Sequence, residues 1–152
     1  MSALKARIAD EMKAALLGRH RFRGDVLRSL KAAILNEEVS LGKRDEGLDD
    51  TEVEKVIARE VKKRKESAAL YRANGRVELA EPEEQEAAIL QEFLPKQLSE
   101  DEVRAMVEAV VADLGATMQQ MGQVIGAVKT KAGNAADGAL IAKITKETLA
   151  KQ

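Results

Sequence analysis

Cysteine and tryptophan are absent from this 152-residue chain. The first absence removes disulfide staples, thiolate nucleophiles and cysteine-ligated metals, and it fits a reducing compartment. Aromatic residues amount to 2%, namely Phe22, Tyr71 and Phe93. A core must therefore be built from Leu, Ile, Val, Ala and Met, a mixture that suits helices better than a β-sandwich. His20 is the single histidine. With no second His or Cys to share a metal and no serine in triad order, it is expected to be structural or exposed rather than catalytic. Charge of one sign is not in excess either, since 25 basic against 26 acidic residues leave a net charge of -1. Binding of nucleic acid through sheer overall basicity is excluded, whereas a local positive patch is not. No apolar run approaches membrane-spanning length, and Lys5, Arg7, Asp10, Glu11 and Lys13 interrupt the stretch where a signal peptide needs its apolar core. The expectation is a cytoplasmic protein with no membrane partner, no metal and no cofactor.

What the chain does contain is helical periodicity. Leu4, Ile8, Met12, Ala15 and Leu16 recur at spacings of three and four and predict a first helix ending near Gly18. Val26, Leu27, Leu30, Ile34 and Leu35 predict a second over Arg21 to Leu41, closed by the polar turn Gly42 to Gly47. Asp49 with Glu52 forms a capping-box pattern that opens a third helix, whose buried stripe is Val53, Ile57, Val61, Ala68 and Tyr71 and whose stop is Asn74-Gly75. A fourth helix is expected over Leu79 to Phe93, with Pro82 in its first turn and Leu94-Pro95 as its end. Beyond it charge density falls, which places a boundary between an N-terminal helical subdomain, 1–97, and a C-terminal three-helix subdomain, 98–152. In the latter, Ser99 with Glu102 opens a helix to Gly115, and Thr117 with Gln120 opens a segment to about Ala132. Asp137 caps a last helix with Leu140, Ile141, Ile144 and Leu149 on its stripe. The fold class is all-α, four helices followed by three.

The run Lys62-Lys63-Arg64-Lys65-Glu66-Ser67 is followed by Tyr71, Gly75-Arg76, Leu79 and Ile89-Leu90. Phe93-Leu94-Pro95, Gln97-Leu98-Ser99, Met121-Gly122, Val124, Gly126 and Ala136-Asp137-Gly138 come next, in order. This series closely resembles the YqeY-like family over essentially the whole chain. That family looks like a free-standing version of the tail domain of the B subunit of the glutamine-dependent aspartyl/glutamyl-tRNA amidotransferase. The resemblance implies an all-helical protein of two helical units and an association with tRNA. Gln120 and Gln123 stand where the family usually carries an acidic residue and a lysine, which removes charge from that segment.

Residues that could carry function fall into two sets. Four consecutive helical residues spread over about 300° of a helix, so Lys62 to Lys65 cannot all face one ligand. One reading is a solvated face laced by the i,i+4 pairs Glu60–Arg64 and Lys62–Glu66. In the alternative, a phosphate-contacting surface, Arg59, Lys62, Lys63, Arg72 and Arg76 are the RNA-binding residues. No aromatics interleave with them for base stacking. Arg19, Arg21, Arg23 and Arg28 form a second basic cluster at the joint of the first two helices, where Arg19 reads as cationic capping. Met106, Met118, Met121 and Ile125 form an adaptable apolar set for a protein partner. The acidic loop Asp45 to Asp50 lacks the ligand spacing of a calcium site, and Gly133 to Gly138 lacks every feature of a nucleotide loop. Neither a phosphate cradle nor a glutamine-hydrolysing nucleophile is present, so no catalytic residue is expected. The leading expectation is a non-catalytic helical module contacting tRNA or an RNA–protein partner. A protein-interaction adaptor is the first alternative. An accessory part of a carbon–nitrogen ligase complex, with glutamine as amido donor, is the second.

Overall fold

A computed structural model describes residues 2–152. Among them the regular elements are helical without exception, and the chain divides into two compact units, Met1–Leu94 and Pro95–Gln152. Each unit has its own hydrophobic cluster. The first holds four helices and the second three, as the periodicities require.

Helix α1 (Ala3–Leu17) starts at Ser2, whose hydroxyl accepts the Lys5 N–H at 3.1 Å and donates to the Asp50 carboxylate. It stops through two backbone bonds: His20 N–H to the Ala15 carbonyl at 2.8 Å and Arg19 N–H to that of Leu16 at 3.4 Å. This is a Schellman stop, and the residue at its left-handed position is Arg19 (φ +63°), not the preceding glycine. Helix α2 (Arg21–Ser40) then folds back on α1. Gly24 permits the approach, because a Cβ there would lie 2.5 Å from Leu16 Cδ2. Its buried stripe is Val26, Leu27, Leu30, Ile34 and Glu38. Leu35 was expected on that stripe but is 45% exposed, because one residue past Ile34 turns it about 100° toward solvent.

Glu38 is the one carboxylate buried in this helix, and its two acceptor contacts explain why. It takes the Lys5 ammonium at 2.6 Å and the Leu48 N–H at 2.9 Å, while its carbonyl takes the Lys43 N–H at 2.7 Å. The glycine-bracketed loop is thereby tied to α1 and α2 together. Gly42 and Gly47 supply its positive φ values, +68° and +77°.

Helix α3 (Asp50–Ala73) opens with the expected capping box: Glu52 N–H reaches Asp49 Oδ1 at 2.8 Å and Asp49 N–H reaches Glu52 Oε2 at 2.9 Å. It ends in a second Schellman stop, Arg76 N–H to the Tyr71 carbonyl at 2.8 Å, with Gly75 at φ +71°. Arg76 serves at once as N-cap of α4 (Val77–Gln91), so this helix begins two residues before the expected Leu79. Pro82 consequently falls in the second turn, not the first, and the N–H that would bond the Glu78 carbonyl is missing. Val53, Val56, Ile57 and Val61 of α3 join Ala87, Leu90 and Phe93 in the core. Past Val61 the two helices pack on little more than Ala68 and Ala80, which lie outside that cluster, and Tyr71 is only half-buried. Arg64 bridges this stretch from within, reaching Glu60 at 3.1 Å and Glu86 at 3.3 Å.

In the second unit, Ser99 Oγ accepts the Glu102 N–H at 3.1 Å and opens α5 (Glu100–Leu114), which Gly115 stops at φ +57°. The segment from Thr117 is not one helix. A single 3-10 turn, Met118–Gln120, precedes α6 (Met121–Ala132), because the Thr117 N–H and hydroxyl both donate to Gln120 Oε1 at 2.7 Å and tighten the turn. Another 3-10 turn, Gly133–Ala135, leads to α7 (Gly138–Ala150), capped by Asp137. The Val-rich face of α5 packs on Val124, Val128, Ile141 and Ile144.

Candidate nucleic-acid interface

The basic residues of α3 do not share one face. Arg59 and Lys63 are separated by about 40° around the helix, whereas Lys63 and Arg72 are separated by about 180°. Arg59 and Lys63 line a groove of about 590 Å³ between α2 and α3, opposite Ser29, Asn36 and Ser40. Arg72 and Arg76 lie toward the far end of the α3–α4 hairpin, and Lys62 is exposed on the turn next to Lys63.

Arg59, Lys63, Arg72 and Arg76 are each engaged by a carboxylate. Arg59 meets Glu37 at 2.9 Å and Lys63 meets Glu60 at 3.1 Å. Arg72 grips Glu84 bidentately, its second bond 2.9 Å long, and Arg76 meets Glu78 at 2.6 Å. Burial pushes the Glu60 carboxyl up, but hydrogen bonds from Arg64 and Lys63 outweigh it and hold the group below its usual range. The Arg72 hydrogen bond likewise lowers Glu84, and the Arg76 bond lowers Glu78. The groove thus holds two cations and two carboxylates. A phosphate entering it would exchange with Glu37 and Glu60 rather than fill a vacant positive site.

The joint of α1 and α2 is organised differently. Arg23 is occupied by Glu11 at 2.9 Å and Glu92 at 2.6 Å, and Arg7 and Arg23 sit 4.5 and 6.0 Å from the Phe93 ring centre. Two cations are therefore spent on the edge of the core. Arg28 has Asp25 at 3.9 Å, while among the described residues Arg19 and Arg21 enter no ion pair. Arg19 is the left-handed residue of the α1 stop, a role that composition around Gly18 concealed.

Of the apolar set, Met106, Met121 and Ile125 lie half-buried against the core of the second unit, and Met118 alone is turned outward. Sequence reasoning missed Glu38, for which hydropathy gave no signal, and Leu17, which is 76% exposed at the last residue of α1. Among the described residues no group of His, Cys, Asp or Glu converges as a metal site, and no helix is long and apolar enough to cross a membrane.

A family model described as Yqey-like protein matches residues 5–149. The chain is similar to "Altered inheritance of mitochondria protein 41, mitochondrial" of Kluyveromyces lactis, 30% identical over 131 residues that make up 83% of this chain and 69% of that protein. It is similar also to the protein of that name from Eremothecium gossypii, 28% identical over 114 residues, 74% of this chain and 61% of the relative. The chain thus spans about two thirds of the curated relatives it matches. Their names overturn the expectation of a cytoplasmic protein, since both are mitochondrial. That expectation leaned on the lack of an apolar leader, and mitochondrial transit peptides are amphipathic and Arg-rich, with no such leader to find.

Proposed function

Because the chain belongs to the YqeY-like family, we propose that it is a non-catalytic helical module that binds tRNA or an RNA–protein partner through the α2–α3 groove. One observation carries this reading: Arg59 and Lys63 share a groove wall facing the neutral hydrogen-bonding groups of Ser29, Asn36 and Ser40. Cations beside neutral donors suit a phosphate backbone without reading sequence. Exchange with Glu37 and Glu60 makes the contact modest and steeply salt-dependent. Lys62 extends the same surface, and Arg72 and Arg76 form a separate, weaker contact on the other side of the hairpin.

Filter binding of tRNA across a salt series tests it. Replacing Arg59 and Lys63 by Ala is expected to weaken binding and to reduce the salt slope by about 2. The Arg72→Ala, Arg76→Ala pair is expected to change it less. Equal binding by wild type and the groove double variant would refute the groove.

A second reading, a protein-interaction adaptor, is favoured by the prior engagement of these cations with carboxylates and by Met118, 44% exposed beside Met121. Partners that persist in nuclease-treated extract belong to it. Partnership in a glutamine-dependent carbon–nitrogen ligase complex is the third reading, read out by transamidation with candidate subunits present.

A further inference from the structure

We propose that the α1–α2 turn is a peripheral docking site for an anionic lipid bilayer. This goes beyond the groove function and departs from the hydropathy-based expectation of no membrane partner. Three observations meet at this turn. Leu17 is 76% exposed and Phe22 45%, so two large apolar side chains stand in water within six residues of sequence. Arg19 and Arg21 lie between them and form no ion pair among the described residues, although Arg7, Arg23, Arg59, Arg64, Arg72, Arg76 and Arg104 all do. Lys13, one turn before Leu17, likewise has no ion pair among the described residues, and Asp25 on the following turn is directed at Arg28. Finally, Arg19 holds a left-handed backbone, φ +63°, that glycine adopts far more readily. Cationic heads around protruding apolar side chains match a surface with anionic phosphates above and hydrocarbon below. Leu17 decides against nucleic acid, because an aliphatic side chain gains nothing from a phosphate backbone and cannot stack on a base, whereas an acyl region rewards it.

Co-sedimentation of the full chain with vesicles of phosphatidylcholine, with or without phosphatidylglycerol, tests the proposal at low ionic strength. Binding is expected only to the mixed vesicles, falling about fivefold for each of Arg19→Gly and Arg21→Gln. Leu17→Ser is expected to lower it as well. Arg19→Gly guards against misfolding, since glycine relaxes the turn: thermal stability holds or rises while vesicle binding drops. Equal sedimentation with both vesicle types overturns the proposal, as does unaltered binding by Leu17→Ser, which would reduce the site to plain charge attraction. Capture of duplex RNA through the same residues without vesicle binding also overturns it.

Discussion

Glu38 and Lys5 make a pair whose halves are not equivalent. The Glu38 side chain is 5% exposed and that of Lys5 30%, so only the ammonium can return to water if its partner is lost. Burial pushes the Glu38 carboxyl up, but hydrogen bonds from Lys5 and Leu48 overcome this and leave it below its usual range. A carboxyl depressed on folding stabilises the fold above its unfolded value of about 4.3, and that contribution is lost as pH falls through the folded value. Glu38→Gln exchanges a charge-assisted bond for a neutral one while an amide oxygen still meets the Leu48 N–H, a loss of about 1–2 kcal/mol at neutral pH. Lys5→Met strands the carboxylate in an apolar site and is expected to cost more, about 3 kcal/mol. Without Lys5, burial prevails and the folded value rises above the unfolded one. The sign then reverses: this variant regains stability at that site as pH falls toward about 4. The double variant removes the stranded charge, so it is expected to be about 1 kcal/mol more stable than Lys5→Met alone at pH 7, where additivity demands the opposite. Urea unfolding of the four proteins at neutral and acid pH is the assay. The reasoning fails if Lys5→Met is no worse than Glu38→Gln, or if the gap between them does not close on acidification.

Pro82→Ala restores an N–H within α4 and is expected to stabilise the first unit by about 2 kcal/mol, read as a rise in its thermal midpoint. Gly24→Val drives a side chain into Leu16 and is expected to cost about 2 kcal/mol; combining it with Leu16→Ala returns much of the loss if the close approach is the cause. Ser99→Ala removes one acceptor at the start of α5 and is expected to cost about 1 kcal/mol, measurable by denaturant unfolding with signals assigned to the second unit.

Helix starts and stops were the most legible part of the sequence because their chemistry is local. Asp49 with Glu52 and Ser99 with Glu102 satisfy each other three residues apart, and the stop at Asn74-Gly75 is closed by bonds spanning no more than five, the longest from Arg76 N–H to the Tyr71 carbonyl. Arg64 was legible too, since its position between Val61 and Ala68 places it at the apolar stripe, where it links α3 to α4. Leu35 and Glu38 were not, because hydropathy ranks them in the wrong order: the glutamate is buried on account of Lys5, distant in sequence, and of the Leu48 N–H in the next loop. The start of α4 escaped because Arg76 has no capping side chain and takes its role from the preceding stop. For the candidate interface, residue types were visible but their occupation was not. Charge is counted along the chain, and whether Arg72 faces solvent or Glu84 depends on which helix folds against it.

The distal half of the α3–α4 hairpin combines alanine packing with ion pairs outside the core. Methyl groups at Ala68 and Ala80 bury little area, so the alignment of the two helices there relies on Arg64 and Arg72. Salt screens the exposed Arg72–Glu84 pair, whereas the largely buried pairs of Arg64 are screened much less. High salt is therefore expected to loosen the tip of the hairpin around Arg72 while the stretch held by Arg64 keeps its packing. Amide exchange near Leu70 and Val77 should quicken at high salt while that of Ile57 and Leu90 holds, and a partner that grips the hairpin tip would order it as well as bind it.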